Sequence, residues 1–340
     1  MATIYKQLTT SDITNTRTLL HEVIPLTGSI VSGTYSDQNI KNYAHGMFQS
    51  AYDYPYLSSS ANHIFDLTVG YSSNSALSSS GATQNAKKIN IYNQMAQMLV
   101  GYDATGSIMK FDEDGDISAG GNKLSEVLFF NFSRLLTKDE IKKGSFSMSF
   151  MTGAYSTPSS GTLFTIEDTN AQNDYRINSP AGEYAVLYRT STTSAYGLVY
   201  YQAGVAVVTA SLFNQANYNT GSTAPERLRD TTLSGSTIET NMDILRRRIN
   251  NISFNNTTEL NSTVYFCRAA HNDFNYSSNP TYLSSSKMIV KNTSTDMPVS
   301  YITTVGLYSA DNELLAVAKT SEPLKKDPTN ELTLRVRLDY

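Results

Sequence analysis

Residues 301–340 read YITTVGLYSADNELLAVAKTSEPLKKDPTNELTLRVRLDY. The stretch holds three short apolar runs: 302–308, 314–319 and 332–338. Turn chemistry separates them, with Ala310-Asp311-Asn312 in the first gap and Pro323, Lys325-Lys326 and Pro328 in the second. In the last run Leu332, Leu334, Val336 and Leu338 alternate with Thr333, Arg335 and Arg337. Side chains on a strand alternate between faces, so this period of two predicts a half-buried antiparallel strand. The block therefore reads as a hairpin followed by a strand.

Working outward, the rest of the chain mixes helical and strand-like texture. Apolar residues at three- and four-residue spacing predict helices over 10–24, 38–51, 85–100 and 238–252. The first carries Thr10, Ser11 and Asp12 as capping oxygens and Ile13, Leu19, Leu20 and Val23 as its apolar face. The second carries Ile40, Tyr43, Ala44, Met47, Phe48 and Ala51. The third ends at Gly101. Thr137 and Glu140 match a capping box that opens one helical turn. Strands are expected over 127–136, 146–150, 163–166, 184–189, 198–201, 205–213, 264–269 and 288–290, with 64–71 either a strand or a helical turn. Residues 72–83 are rich in Ser, Asn and Gly and read as a loop. The expected fold class is α+β and β-rich. It has helical N-terminal elements packed with antiparallel β-sandwich-like sheets, and a C-terminal β hairpin plus strand. Three regions follow from the texture: 1–149, 150–230 and 231–340.

Composition narrows the function classes. The chain has 340 residues, is 40% hydrophobic and only 16% charged, against roughly 25% charged in ordinary soluble proteins. It has 23 Tyr and no Trp. Tyrosine offers a rigid contact face with one polar handle, which suits interfaces that are apolar and hydrogen-bonded together. Few surface charges leave association weakly opposed. The net charge of −4 argues against a nucleic-acid partner, because such domains are usually basic. The single cysteine, Cys267, excludes an internal disulfide and reads as a small core residue. Residues 1–12 show no basic-then-apolar leader, and no apolar run reaches membrane-spanning length, so neither a secretory signal nor a membrane span is expected.

The sequence offers few chemical sites. Asp112, Asp114 and Asp116 alternate as cation-binding loops do, but the sixth position is Ile117 and the twelfth Lys123, not Gly and Glu. A solvated turn is the favoured reading, with a loosely held Ca²⁺ as the alternative. His21, His45, His63 and His271 show no metal-ligand spacing. Cys267 and His271 would lie about 13 Å apart on a strand, at about 3.3 Å per residue, too far for a thiolate–imidazole pair. No nucleophile elbow, phosphate loop or dinucleotide fingerprint occurs, so no catalytic residue, cofactor or small-molecule substrate is assigned. Two groups stand out as contact residues. Arg246, Arg247 and Arg248 sit on the fourth expected helix, where guanidinium forks suit an acidic neighbour. Tyr52, Tyr54 and Tyr56 form an aromatic loop.

The runs Ile302-Thr303-Thr304-Val305-Gly306-Leu307-Tyr308 and Leu314-Leu315-Ala316-Val317-Ala318-Lys319 resemble a segment of virion structural proteins of tailed bacteriophages, including baseplate and fibre-anchoring proteins. The resemblance covers about residues 287–340. It implies a subunit made in a bacterial cytoplasm and built into a virion. Its partners would be copies of itself and other virion proteins, and the C-terminal sheet would serve as a docking platform. Contact residues there would be Tyr301, Tyr308, Leu332, Leu334, Val336 and Leu338. The resemblance favours tail or baseplate over a neck or head–tail connector. A receptor- or glycan-binding module is the competing class, suggested by the tyrosine loop, and an enzyme ranks last.

Overall fold

The computed structural model describes residues 5–27, 39–53, 62–116, 120–152, 162–190, 192–214, 230–275, 283–284, 287–288 and 297–340. In chain order the first elements are β1 (Ile13–Thr27), β2 (Ile40–Asn42), β3 (Gln49–Tyr52), β4 (His63–Tyr71) and α1 (Asn85–Leu99). Next come β5 (Phe111–Asp112), β6 (Lys123–Leu124), β7 (Glu126–Phe132), α2 (Arg134–Thr137), β8 (Glu140–Ile141) and β9 (Ser147–Met151). Then follow β10 (Leu163–Glu167), β11 (Arg176–Ser179), β12 (Gly182–Arg189), β13 (Ala195–Tyr200) and β14 (Val205–Thr209). The rest are α3 (Asp230–Gly235), α4 (Ile238–Arg248), β15 (Ile249–Ala269), β16 (Leu283–Ser284), β17 (Lys287–Met288), β18 (Ser300–Tyr308), β19 (Leu314–Lys326) and β20 (Leu332–Asp339). The fold is strand-dominated and its sheets are antiparallel. The chain divides into two compact units, Leu20–Thr258 and Met1–Leu19 with Glu259–Tyr340, and passes between them inside β1 and inside β15.

The larger unit is built on an antiparallel sheet in the order β15-β9-β10-β12-β13-β14-β7-β4-β3-β2. Its middle strands read as nearly unbroken apolar runs, and every residue of β14 (Val205–Thr209) is buried. A strand covered on both faces needs such a run and not an alternating one. β7 shows why both faces are covered. Phe129 packs on Phe111 at 5.7 Å between ring centroids, and Phe111 on Tyr92 of α1 at 5.5 Å. On the opposite face Phe130 lies 6.3 Å from Phe150 of β9, and Phe132 lies 5.3 Å from Phe254 of β15. Four strands separate β7 from β9 along the sheet, so the sheet curls until β7 faces β9 and β15 across an aromatic core. α1 closes the outer face of β4. A methyl at Gly70 would stand 2.8 Å from the Tyr92 amide nitrogen and 2.9 Å from the Lys88 carbonyl oxygen, so only glycine lets helix and strand backbones approach this closely.

In the smaller unit, Ser262–Ala269 of β15 pair with Leu332–Asp339 of β20 over eight consecutive residues. β18 and β19 pair with one another as a ribbon. Lys326 is fully buried and its Nζ donates to His271 O, Asn275 Oδ1 and Asp327 O, which ties the 271–275 turn to the end of β19.

Several expectations need correction. Residues 13–27 form a strand and not a helix, with only Thr10–Asp12 helical, as a 3-10 turn. Ile13, Thr14, Thr16, Thr18 and Val23 are β-branched, and β15 supplies the pairing partner. The expected helix over 38–51 is a hairpin, β2 with β3, whose connection passes through Gly46 at φ +61°. Residue 38 itself lies outside the described residues. The helix expected over 238–252 stops at Arg248, and Ile249 and Ile252 are buried from a strand. Of the turn residues expected in the second gap, Pro323, Lys325 and Lys326 belong to β19, and the reversal comes at Asp327–Asn330, around Pro328. The capping box at Thr137 opens no helix. The helical turn Arg134–Thr137 ends there, at the positive φ of Lys138, which also cuts the expected 127–136 strand short at Phe132. Residues 64–71 are strand, and α1, capped by Gly101 at φ +93°, lies where its periodicity places it. Residues 289–290 of the expected strand 288–290 lie outside the described residues.

Candidate assembly surfaces

In a small antiparallel protein each strand normally hides at least one face. Among the described residues, β1 and the β18–β19 ribbon do not. Every residue of β1 from Ile13 to Val23 is exposed, including Leu19, Leu20 (52%) and Val23 (65%). In the smaller unit, the β18–β19 ribbon is bare on one face and only half covered on the other. Leu314, Leu315 (68%), Val317 and Tyr301 (58%) are open to solvent along it. β18 carries no charged residue in nine. An isolated two-stranded ribbon is at best marginally stable in water. An uncharged strand edge is also a template for further pairing. Each carries several exposed apolar side chains along one strand or ribbon, set among threonines and charged residues, and a run of exposed apolar side chains is a candidate contact surface.

The contact residues expected from sequence fall into distinct environments. Tyr301 and Tyr308 are exposed on the ribbon, and the Tyr308 ring meets Tyr5 edge-on at 4.9 Å. Leu332, Leu334 and Leu338 are half-buried and Val336 is 8% exposed, so one face of β20 is spent inside its own unit. Thr333, Arg335, Arg337 and Asp339 look outward. Arg246 and Arg248 are buried in the larger unit. Arg246 donates to Asp243 Oδ1 at 3.0 Å and Arg248 to the Met151 carbonyl at 3.5 Å, while Arg247 is half-buried. Tyr52 is half-buried, and burial, reinforced by Tyr43 and Asp66, pushes its hydroxyl up to about 12. Tyr54 and Tyr56 lie outside the described residues. The structure therefore brings Tyr301 and Tyr308 together on one ribbon, and keeps the arginines and Tyr52 in the other unit.

Several residues that could do chemistry can be placed by their contacts. Asp66 Oδ1 accepts from Ser50 Oγ at 2.5 Å and meets His63 Nε2 at 2.8 Å. Burial opposes ionisation of Asp66, but hydrogen bonds from His63 and Ser50 hold its carboxyl below the usual range. The imidazole does not stand between serine and carboxylate, so it is not positioned to take the hydroxyl proton. His63 also lines a shallow apolar hollow of about 440 Å³ with Ile24, Ile64, Leu135 and Leu136. Cys267 is half-buried, and burial with the nearby Asp12 charge pushes its thiol up, away from reactivity. His271 faces Glu331 at 3.4 Å on the surface. Among the described residues no helix is long and apolar enough to cross a membrane.

The bare apolar residues of β1 escaped the sequence reading because Leu19, Leu20 and Val23 imitate a helical stripe. The available signal was the threonine-rich β-branched content of 13–18. Leu314, Leu315 and Val317 were read as strand residues, but pattern alone cannot say whether a strand's face is covered. The chain matches no protein-family model, no curated protein and no solved structure with which it was compared.

Proposed function

We propose that this chain is a structural subunit of a tailed bacteriophage virion, a tail or baseplate protein with a fibre-anchoring role. In this reading it works by subunit–subunit contact and carries out no reaction. The observation that carries it is the pair of long, bare strand surfaces: β1, exposed along its length from Ile13 to Val23, and the β18–β19 ribbon. Elements of this kind gain their stability from a neighbour, so they suit a protein whose working form is an assembly. The resemblance of residues 287–340 to virion proteins falls on the same ribbon, at Ile302–Tyr308 and Leu314–Lys319. The high tyrosine and low charge content fit surfaces that end up against other subunits. On β20 the most exposed side chains are Thr333, Arg335, Arg337 and Asp339, while Leu332, Leu334 and Leu338 are half-buried.

The test is to purify particles of a phage that encodes the chain on a density gradient, identify their proteins by mass spectrometry and image them by electron microscopy. The proposal expects the chain in fixed copy number, with its density at the tail end. Its absence from intact particles would overturn the virion reading. Density between portal and tail tube would replace tail by neck.

A further inference from the structure

The connection from β5 to β6, inside the larger unit, gathers carboxylates that the assembly reading does not use. Asp112, Asp114 and Asp116 occupy alternate positions, and one carboxylate oxygen from each lies within 4.8 Å of the others. Gly115, buried at φ +72°, bends the backbone between the second and third. Its carbonyl is held by the Tyr184 hydroxyl at 2.8 Å, and the Asp116 carbonyl by Asn178 Nδ2 at 3.2 Å. The backbone of the turn is thus fixed from β11 and β12.

An acidic turn alone is usually a solvated surface feature. This one differs at Asp112. Its side chain is fully buried, and although Oδ2 pairs with Lys123, Oδ1 has no hydrogen-bond partner. A buried carboxylate oxygen without a donor is a costly arrangement that a bound cation would relieve. Across the connection Gly121 sits at φ +61°, a conformation that side chains rarely adopt, and a methyl there would lie in ordinary contact with Asp112 Oδ1 at 3.4 Å and Asp114 Oδ2 at 3.6 Å.

We propose that Asp112, Asp114 and Asp116 bind a divalent cation, and that the site selects Ca²⁺. All the donors are carboxylate oxygens, which suits a hard cation and not zinc. Oxygens on a sphere of about 2.4 Å radius, the usual Ca²⁺ distance, stand at most about 4.8 Å apart, and the three carboxylates meet that limit. Mg²⁺ holds its water more firmly and demands a tighter octahedron than three residues of one bend supply. Lys123 competes with the ion for Asp112, so the site is weaker than a loop without that ammonium. The proposal stands apart from the virion reading and does not depend on it.

The full chain, freed of metal with a chelator, is titrated with Ca²⁺ and separately with Mg²⁺ by calorimetry. Binding is also read by Tb³⁺ luminescence sensitised by Tyr184, whose hydroxyl reaches the turn. One saturable site is expected, with Ca²⁺ displacing Tb³⁺ at millimolar concentration or below. Asp114→Asn and Asp116→Asn each weaken Ca²⁺ by about tenfold or more. Both residues are exposed, so the thermal midpoint of the metal-free variants stays at the wild-type value. Lys123→Gln strengthens binding. Absence of a saturable signal would overturn the proposal, as would equal weak binding of both cations to wild type and both asparagine variants.

Discussion

The Tyr201 hydroxyl donates to Asp168 Oδ2 at 2.8 Å in the core of the larger unit. Asp168 also accepts the Gly144 and Phe146 amides, at 2.8 and 2.9 Å, so one buried carboxylate pins a whole turn. Burial raises the hydroxyls of Tyr92, Tyr184, Tyr200 and Tyr201 above their ordinary value of 10.0. In the unfolded chain these groups ionise near pH 10. Above that pH the folded state holds more protons than the unfolded one, so the stability these groups contribute is complete below pH 10 and is lost as pH rises beyond it. With 23 Tyr and no Trp, tyrosinate absorbance reports this cleanly. The measurement is a spectrophotometric titration through the alkaline range, followed alongside by circular dichroism. The buried set should ionise only as circular dichroism is lost. A single smooth transition with the fold intact would contradict the burial.

At the same scale, some residues declared their place in the sequence and others did not. The alternation of Leu332, Leu334, Val336 and Leu338 survives in the structure as alternating burial along β20, because one covered face imposes a period of two. Asn85–Leu99 was legible because its apolar stripe is buried on β4. Leu19, Leu20 and Val23 misled because they are exposed among the described residues, so their spacing there records no burial. The carboxylates of 112–116 were visible as a cluster. The buried, unpartnered Oδ1 of Asp112 was not, since it depends on how β5 packs.

At the scale of elements, β20 is what closes the sheet of the smaller unit. It pairs with Ser262–Ala269, and the asparagine 261 amide and carbonyl exchange hydrogen bonds with Tyr340 at 3.0 and 2.8 Å. Deleting residues 332–340 strips eight pairs from β15 and bares a strand edge. The truncated chain should be insoluble, or should aggregate on gel filtration at concentrations where the full chain does not. Soluble truncated protein with unchanged thermal midpoint would show that β20 is dispensable. The corrected helices belong to this scale too. The 13–27 and 40–52 segments have apolar residues at helical spacing, yet their β-branched residues and a glycine turn found partner strands far away or close by, and pairing prevailed over local periodicity.

Across the whole molecule, the larger unit has an interior of its own, with phenylalanines meeting across a curled sheet, whereas β1 and the β18–β19 ribbon leave apolar strand faces open. That contrast is the basis for an assembling subunit: one part folds on its own contacts and other parts await a neighbour. Sedimentation velocity of the recombinant full chain across a wide concentration range tests it most directly, run beside a Leu20→Lys/Val23→Lys/Leu315→Lys variant. These three side chains are exposed, so the variant should fold as the wild type does. The account predicts that the wild type forms discrete oligomers that dissociate on dilution, and that the variant stays monomeric with an unchanged circular dichroism spectrum. A wild type that remains a stable monomer at every concentration, with these surfaces bare, would contradict it.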